Sequence, residues 1–151
     1  MNQNKKLVII GNEIISKKNN KFYCDNIDMK SIPEELNKNF ETDFIGRKSK
    51  TERSHLIDIN NVTAASNIFH FLYEIFKTFK HKKAKYMLIS ITPYTFLSYI
   101  FLFFFRKETF VYLRSNGYEE YKEILGFIGP LIYHFMYIIV TYKSKIISCQ
   151  E

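Results

Sequence analysis

The chain has 151 residues, room for one domain with a proper core and too few for two. An aromatic share of 17%, with 15 Phe and 11 Tyr, excludes a largely disordered chain. The net charge of +7 reads either as a solvated basic surface or as a face for an anionic partner, a phosphate or a lipid head group; the Lys residues are scattered and no recognition motif occurs, so nucleic acid is not expected as a partner.

Cys24 and Cys149 lie far apart and outside any C-x-x-C pair, which fits a reduced cytoplasmic setting. The apolar run at 7–10 is too short for the core of a signal peptide. That run, Leu7-Val8-Ile9-Ile10 closed by Gly11, reads as a buried strand of a parallel sheet. Residues 12–30 are polar and read as a long loop. Ser31, Pro33 and the acids Glu34 and Glu35 mark a helix start, with a short helix ending near Phe40. Short strands are expected at 42–45 and 56–59, with a charged loop at 47–53 between them.

Thr63 is placed to cap the next helix, whose apolar face would carry Phe69, Leu72, Phe76 and Phe79, widened by Ile68 and Ile75. This helix closes on Lys80, His81, Lys82 and Lys83, cations suited to a helix carboxyl end. A second central strand is expected at 86–91, a strongly apolar helix at 94–105 after Pro93, and a β-rich strand at 109–113. A turn at 114–117 leads into a long helix from Glu119 towards Tyr142, kinked at Gly129-Pro130. The last strand candidate is 145–149.

This alternation predicts a single α/β domain over 1–151, a Rossmann-like, doubly wound, mostly parallel sheet with apolar helices on both faces. The chain ends two residues after its last strand candidate, which reads as a divided protein. A rival reading is a two-span membrane hairpin. Residues 86–105 carry no charge, residues 124–142 have His134 as their one ionisable group, and Lys residues flank both runs. Between the two lies a folded domain whose aromatic helices touch an anionic membrane surface from the cytoplasmic side.

In an open α/β sheet ligands bind beyond the carboxyl ends of the strands. That rule selects Gly11-Asn12-Glu13, the loop at 90–93, Arg114-Ser115-Asn116-Gly117-Tyr118, and the tail at 149–151. Gly11 either admits a phosphate or sugar close to the backbone or simply makes a turn. Arg114 offers a forked donor for phosphate beside Ser115, Asn116 and Gly117; the plain alternative is a turn with a solvated arginine. Neither G-x-G-x-x-G nor the P-loop pattern occurs. His55, His70, His81 and His134 show no metal-ligand spacing, His70 and Glu74 read as a helix-surface pair, His134 as a hydrogen-bonded core residue, and no catalytic nucleophile or base stands out.

The opening Lys5-Lys6-Leu7-Val8-Ile9-Ile10-Gly11-Asn12, the strand at 86–91 with its apolar helix, and Tyr112-Leu113-Arg114-Ser115-Asn116-Gly117-Tyr118 resemble the amino-terminal domain of GT-B-type glycosyltransferases, nearest the family-4-like bacterial enzymes of surface polysaccharide and glycolipid synthesis. The resemblance implies transfer of a sugar from a nucleotide-sugar donor to a lipid-linked or polysaccharide acceptor. It gives acceptor contacts to Gly11 and Asn12 and to the loop Arg114, Ser115, Asn116 and Gly117. It implies no metal and no bound cofactor beyond the donor, whose site lies in a carboxyl-terminal domain outside this chain, so that this chain is not expected to be active alone. Two other readings stand beside it: a small integral membrane protein, and a stand-alone α/β module that binds a partner.

Overall fold

The computed structural model describes residues 5–148. The strands are β1 (Lys6–Lys18), β2 (Lys21–Cys24), β3 (Glu41–Lys48), β4 (His55–Ile57), β5 (Asn61–Ala65), β6 (Lys85–Ile89), β7 (Thr109–Leu113) and β8 (Lys145–Ser148). The helices are α1 (Ile27–Asn37), α2 (Ile68–Lys77), α3 (Pro93–Phe104), α4 (Gly117–Leu125) and α5 (Gly129–Thr141). Together they form a mixed α/β domain on one eight-stranded sheet, compatible with a Rossmann-like fold. Its parallel part runs β5, β3, β1, β6, β7, β8, so the strand order reverses between β1 and β6. The antiparallel β2 and β4 extend it from the far end of β1.

Alternation along β1 divides the core. Val8 and Ile10 face the layer of α2, α3 and α5, meeting Phe71, Ile75, Leu102 and Tyr133. Leu7 and Ile9 face the other side, where Met29 of α1 and Ile57 of β4 cover them. Both faces of the central strand are thus buried, as its continuous apolar run requires. Each such buried side chain contributes roughly 1.5–3 kcal/mol.

Several expectations are corrected. Residues 12–30 are ordered elements: β1 passes a bulge between Ile10 and Ile14 and runs on to Lys18. Asn19 and Asn20, with φ of 49° and 59°, then make the two-residue turn into β2. α1 begins four residues before Ser31, at Ile27, because the Asn26 side chain caps it by accepting from the N–H groups of Asp28 and Met29. Arg47 and Lys48 belong to β3, in register with Ile14 and Ile15, so the charged loop is shorter than expected. Thr63 lies within β5; Asn67 caps α2 instead.

The buried side of α2 is rotated from the expected stripe. Phe71 and Ile75 are buried, whereas Phe69 is 81% exposed. The apolar stretch of 86–105 is not one spanning helix, because residues 85–89 form β6 and only α3 is helical. Gly117–Thr141 is long and apolar enough to cross a membrane by length and composition. Its break falls at Gly126, with φ of 67°, rather than at Pro130, which occupies the first turn of α5 where its missing N–H costs nothing.

α4 and α5 form an antiparallel hairpin. Gly117 lies against the Tyr133 ring and Gly129 against the Tyr121 carbonyl, where any Cβ would collide. The turn between the helices presents Leu125, Phe127 and Ile128 to solvent. The outer sides of the helices are also apolar: Leu97 and Phe104 of α3 and Leu131, Phe135 and Ile138 of α5 are exposed.

Candidate functional site

Two clusters form at the carboxyl ends of the parallel strands, on either side of the order reversal. In the first, Arg47 at the end of β3 donates from Nη1 to Asn12 Oδ1 at 3.2 Å. Its guanidinium stacks 4.6 Å from the ring centre of Tyr94, in the first turn of α3. Among the described residues Arg47 forms no salt bridge with a carboxylate. Its fork is therefore aimed by a neutral side chain and an aromatic face, which leaves its charge uncompensated.

In the second, Arg114 follows β7 and donates from Nη1 to Asp28 Oδ2 at 3.3 Å, joining the loop to the start of α1. Glu13 lies beside it. Burial pushes the Glu13 carboxyl above its ordinary value, against the pull of the backbone N–H groups of Asn26 and Asp25 and of the Arg114 charge. Arg114 thus answers to two carboxylates, and its free capacity for an anion is smaller than that of Arg47. The strands carrying the two arginines are three positions apart in the sheet, about 14 Å at the usual strand spacing.

Between them stands Ser90, just after β6. Its φ of 61° is in the left-handed region, unusual without a glycine. Its N–H donates to the Tyr112 carbonyl at 2.9 Å and its carbonyl accepts from Thr95 Oγ1 at 2.8 Å, which fixes the strained residue in place. Strain of this kind collects at functional positions. A capping box of Thr92 and Thr95 then opens α3.

The other expected site residues have local duties. Gly11 is buried, and a Cβ there would strike the end of Met29. Asn116 caps α4 by accepting from the Tyr118 N–H at 3.2 Å. Gly117 is required by the α4–α5 contact, and Ser115 is half-buried beside Arg114. The tail at 149–151 lies outside the described residues. His134 is exposed rather than in the core, with Nδ1 at 2.7 Å from the Tyr118 hydroxyl. His70 and Glu74 pair at 3.2 Å on the surface of α2.

Sequence reasoning missed Arg47 and Tyr94, and it named Glu13 only as a member of the first loop, with no role. The signal available for Arg47 was its place directly after the apolar pair Phe44-Ile45 and Gly46, at a strand end. A cavity of about 500 Å³ lies at the opposite, amino ends of the strands. There the Lys6 ammonium is closed off by Glu41 at 2.7 Å and Asp43 at 2.8 Å, a structural network. Among the described residues no three of His, Cys, Asp or Glu gather as a metal-binding group. No protein-family model, curated protein or solved structure matches the chain.

Proposed function

We propose that this chain is the acceptor-side domain of a bacterial sugar transferase, built on a doubly wound sheet. It would hold a lipid-linked or polysaccharide acceptor at the cytoplasmic face of a membrane while a separate donor-binding half supplies the nucleotide sugar. The observation that carries the reading is the pair of arginines flanking the strand-order reversal, the position where open α/β sheets bind ligands. Arg47, presented by Asn12 and Tyr94, would take a phosphate of the acceptor as a fork, and Arg114 would hold a second anionic or hydroxyl group. Exposed apolar side chains on α3 and α5 support an acceptor that arrives by way of a bilayer.

The test is equilibrium binding of the full chain to a polyprenyl-phosphate-linked sugar in nanodiscs, beside free nucleotide sugars in solution. The expected result is saturable binding of the lipid-linked sugar, weakened roughly tenfold or more by Arg47→Ala, as loss of a charge-assisted bond predicts. Equal or tighter binding of the nucleotide sugar would place the donor here and overturn the assignment. Absence of any sugar-dependent binding would leave the stand-alone partner-binding module as the better account.

A further inference from the structure

We propose that the groove between α3 and α5 is a binding site for a single anionic phospholipid, with an acyl chain between the helices and the phosphate at Arg106, Lys107 and Lys143. Two adjoining cavities define it. One, of about 240 Å³, is walled by Tyr99, Ile100, Phe103, Ile138, Ile139 and Tyr142, with almost no polar surface. The second, of about 660 Å³, shares Tyr99 and Phe103 with the first and adds Arg106, Lys107 and Lys143. An apolar channel that opens among three cations has the polarity of a phospholipid along its length.

The charges are uncompensated within the fold. No acid lines the second cavity. Glu108, adjacent in sequence, is engaged by Lys145 at 2.8 Å and Lys85 at 3.5 Å. Lys107 and Lys143 instead sit over the rings of Phe79 and Phe103. The partial negative charge at the carboxyl ends of α3 and α5 accounts for cations in this region. It does not account for the apolar channel they surround.

Two further features mark the junction. Tyr99 is 3% exposed, and its hydroxyl makes no hydrogen bond of good geometry, although the Lys143 backbone N–H approaches it. That hydroxyl is shut away from the groove, so it is the Tyr99 ring, part of the wall of both cavities, that would meet the acyl chain. Arg106 holds φ of 53° at the end of α3, with its N–H bonded to the Phe103 carbonyl and the Lys107 N–H bonded to the Leu102 carbonyl. That helix-ending turn favours glycine, and here it carries a guanidinium at the mouth of the groove instead.

The inference uses the membrane side of the proposed function and is independent of sugar transfer, so either can fail without the other. The test is titration of the full chain with dihexanoyl phosphatidic acid kept below its micellar concentration, with dihexanoyl phosphatidylcholine and inorganic phosphate as parallel arms. Saturable binding of one phosphatidic acid per chain is expected, weakened at least about tenfold by the double substitution Lys107→Glu, Lys143→Glu, with the circular dichroism spectrum unchanged. No saturable binding, equal affinity for phosphatidylcholine, or displacement by inorganic phosphate at equal concentration would each overturn the proposal.

Discussion

Arg47 and Asn12, joined at 3.2 Å, tie the end of β3 to the bulge in β1, the strand beside which the order reverses. The bond spans residues 35 apart in sequence and gives Arg47 one orientation, which the Tyr94 ring reinforces from the other side.

Arg47→Lys keeps the charge but loses the fork and most of the stacking. The expected outcome is a stability change within about 1 kcal/mol by urea denaturation, as for a single partly exposed polar contact. The same variant is expected to lose most of its affinity for a phosphate-bearing acceptor, measured by calorimetry. Full affinity in the lysine variant would show that charge alone suffices there.

Glu13 sets a pH dependence with a definite sign. Its folded-state pKa is raised, with burial the largest cause, so the folded chain binds this proton more tightly than the unfolded chain. The resulting stability is fully present below the unfolded value and is lost as pH rises through the raised folded value. Glu41 and Glu108, whose carboxyls are held low by Lys6 and Lys145, act in the opposite sense. The difference between wild type and Glu13→Gln isolates the effect: the variant is expected to gain in relative stability as pH rises from about 4 to 7, near and above the ordinary glutamate range. Parallel stability curves for the two proteins would contradict it.

Three glycines of the α4–α5 hairpin are ranked by what surrounds them. At Gly129 a Cβ would strike the backbone of Tyr121, which cannot move aside, and at Gly117 it would strike the Tyr133 ring. At Gly126 there is open space but a φ of 67°. Alanine is expected to cost about 1–3 kcal/mol at Gly117 and more at Gly129, as overpacking does, and about 1–2 kcal/mol at Gly126 from backbone strain alone. Thermal melts of the three variants give the order, and shortening the neighbour by Tyr133→Leu is expected to recover part of the loss at Gly117 alone.

The tip of the same hairpin tests the membrane reading. Phe127 is 83% exposed, so Phe127→Asp is expected to leave stability within about 0.5 kcal/mol. If the tip enters a bilayer, losing that ring is expected to reduce co-sedimentation with anionic vesicles roughly tenfold or more, the value of burying one phenylalanine. Unchanged partitioning would remove the tip from any membrane contact.

β7 and α3 were legible because each carried two agreeing signals. β-forming residues alternate through 109–113, and Thr92-Pro93 gives a capped start to an apolar helix. β5 was hidden because Asn61, Ala64 and Ala65 are depleted in strands and Thr63 also suits a helix cap; its parallel pairing with β3 creates the strand. The extension of β1 was hidden by the bulge, which breaks the alternation at Gly11, Asn12 and Glu13. The orientation of α2 was ambiguous because its apolar arc is wide, running from Phe71 and Ile75 round to Phe69 and Tyr73 opposite the polar His70, Glu74 and Lys77, and periodicity does not say which part of that arc is buried. In the candidate site, the loop after β7 was selected from its Arg and Gly. Arg47 was not, because a cation at the head of a charged run looks like solvated surface until the sheet register places it next to β1.

Among the described residues the sheet ends at β8. All four residues of β8 are exposed, and beyond its outer edge no strand pairs with it among the described residues. On one side, Ile147 continues the row of Phe110 and Tyr112 into solvent. An open parallel edge of this kind is a template for another copy's backbone. In the purified chain this border is expected to draw copies together as concentration rises, and Ile147→Lys is expected to reduce that association in light scattering; an unchanged concentration dependence would take the edge out of it.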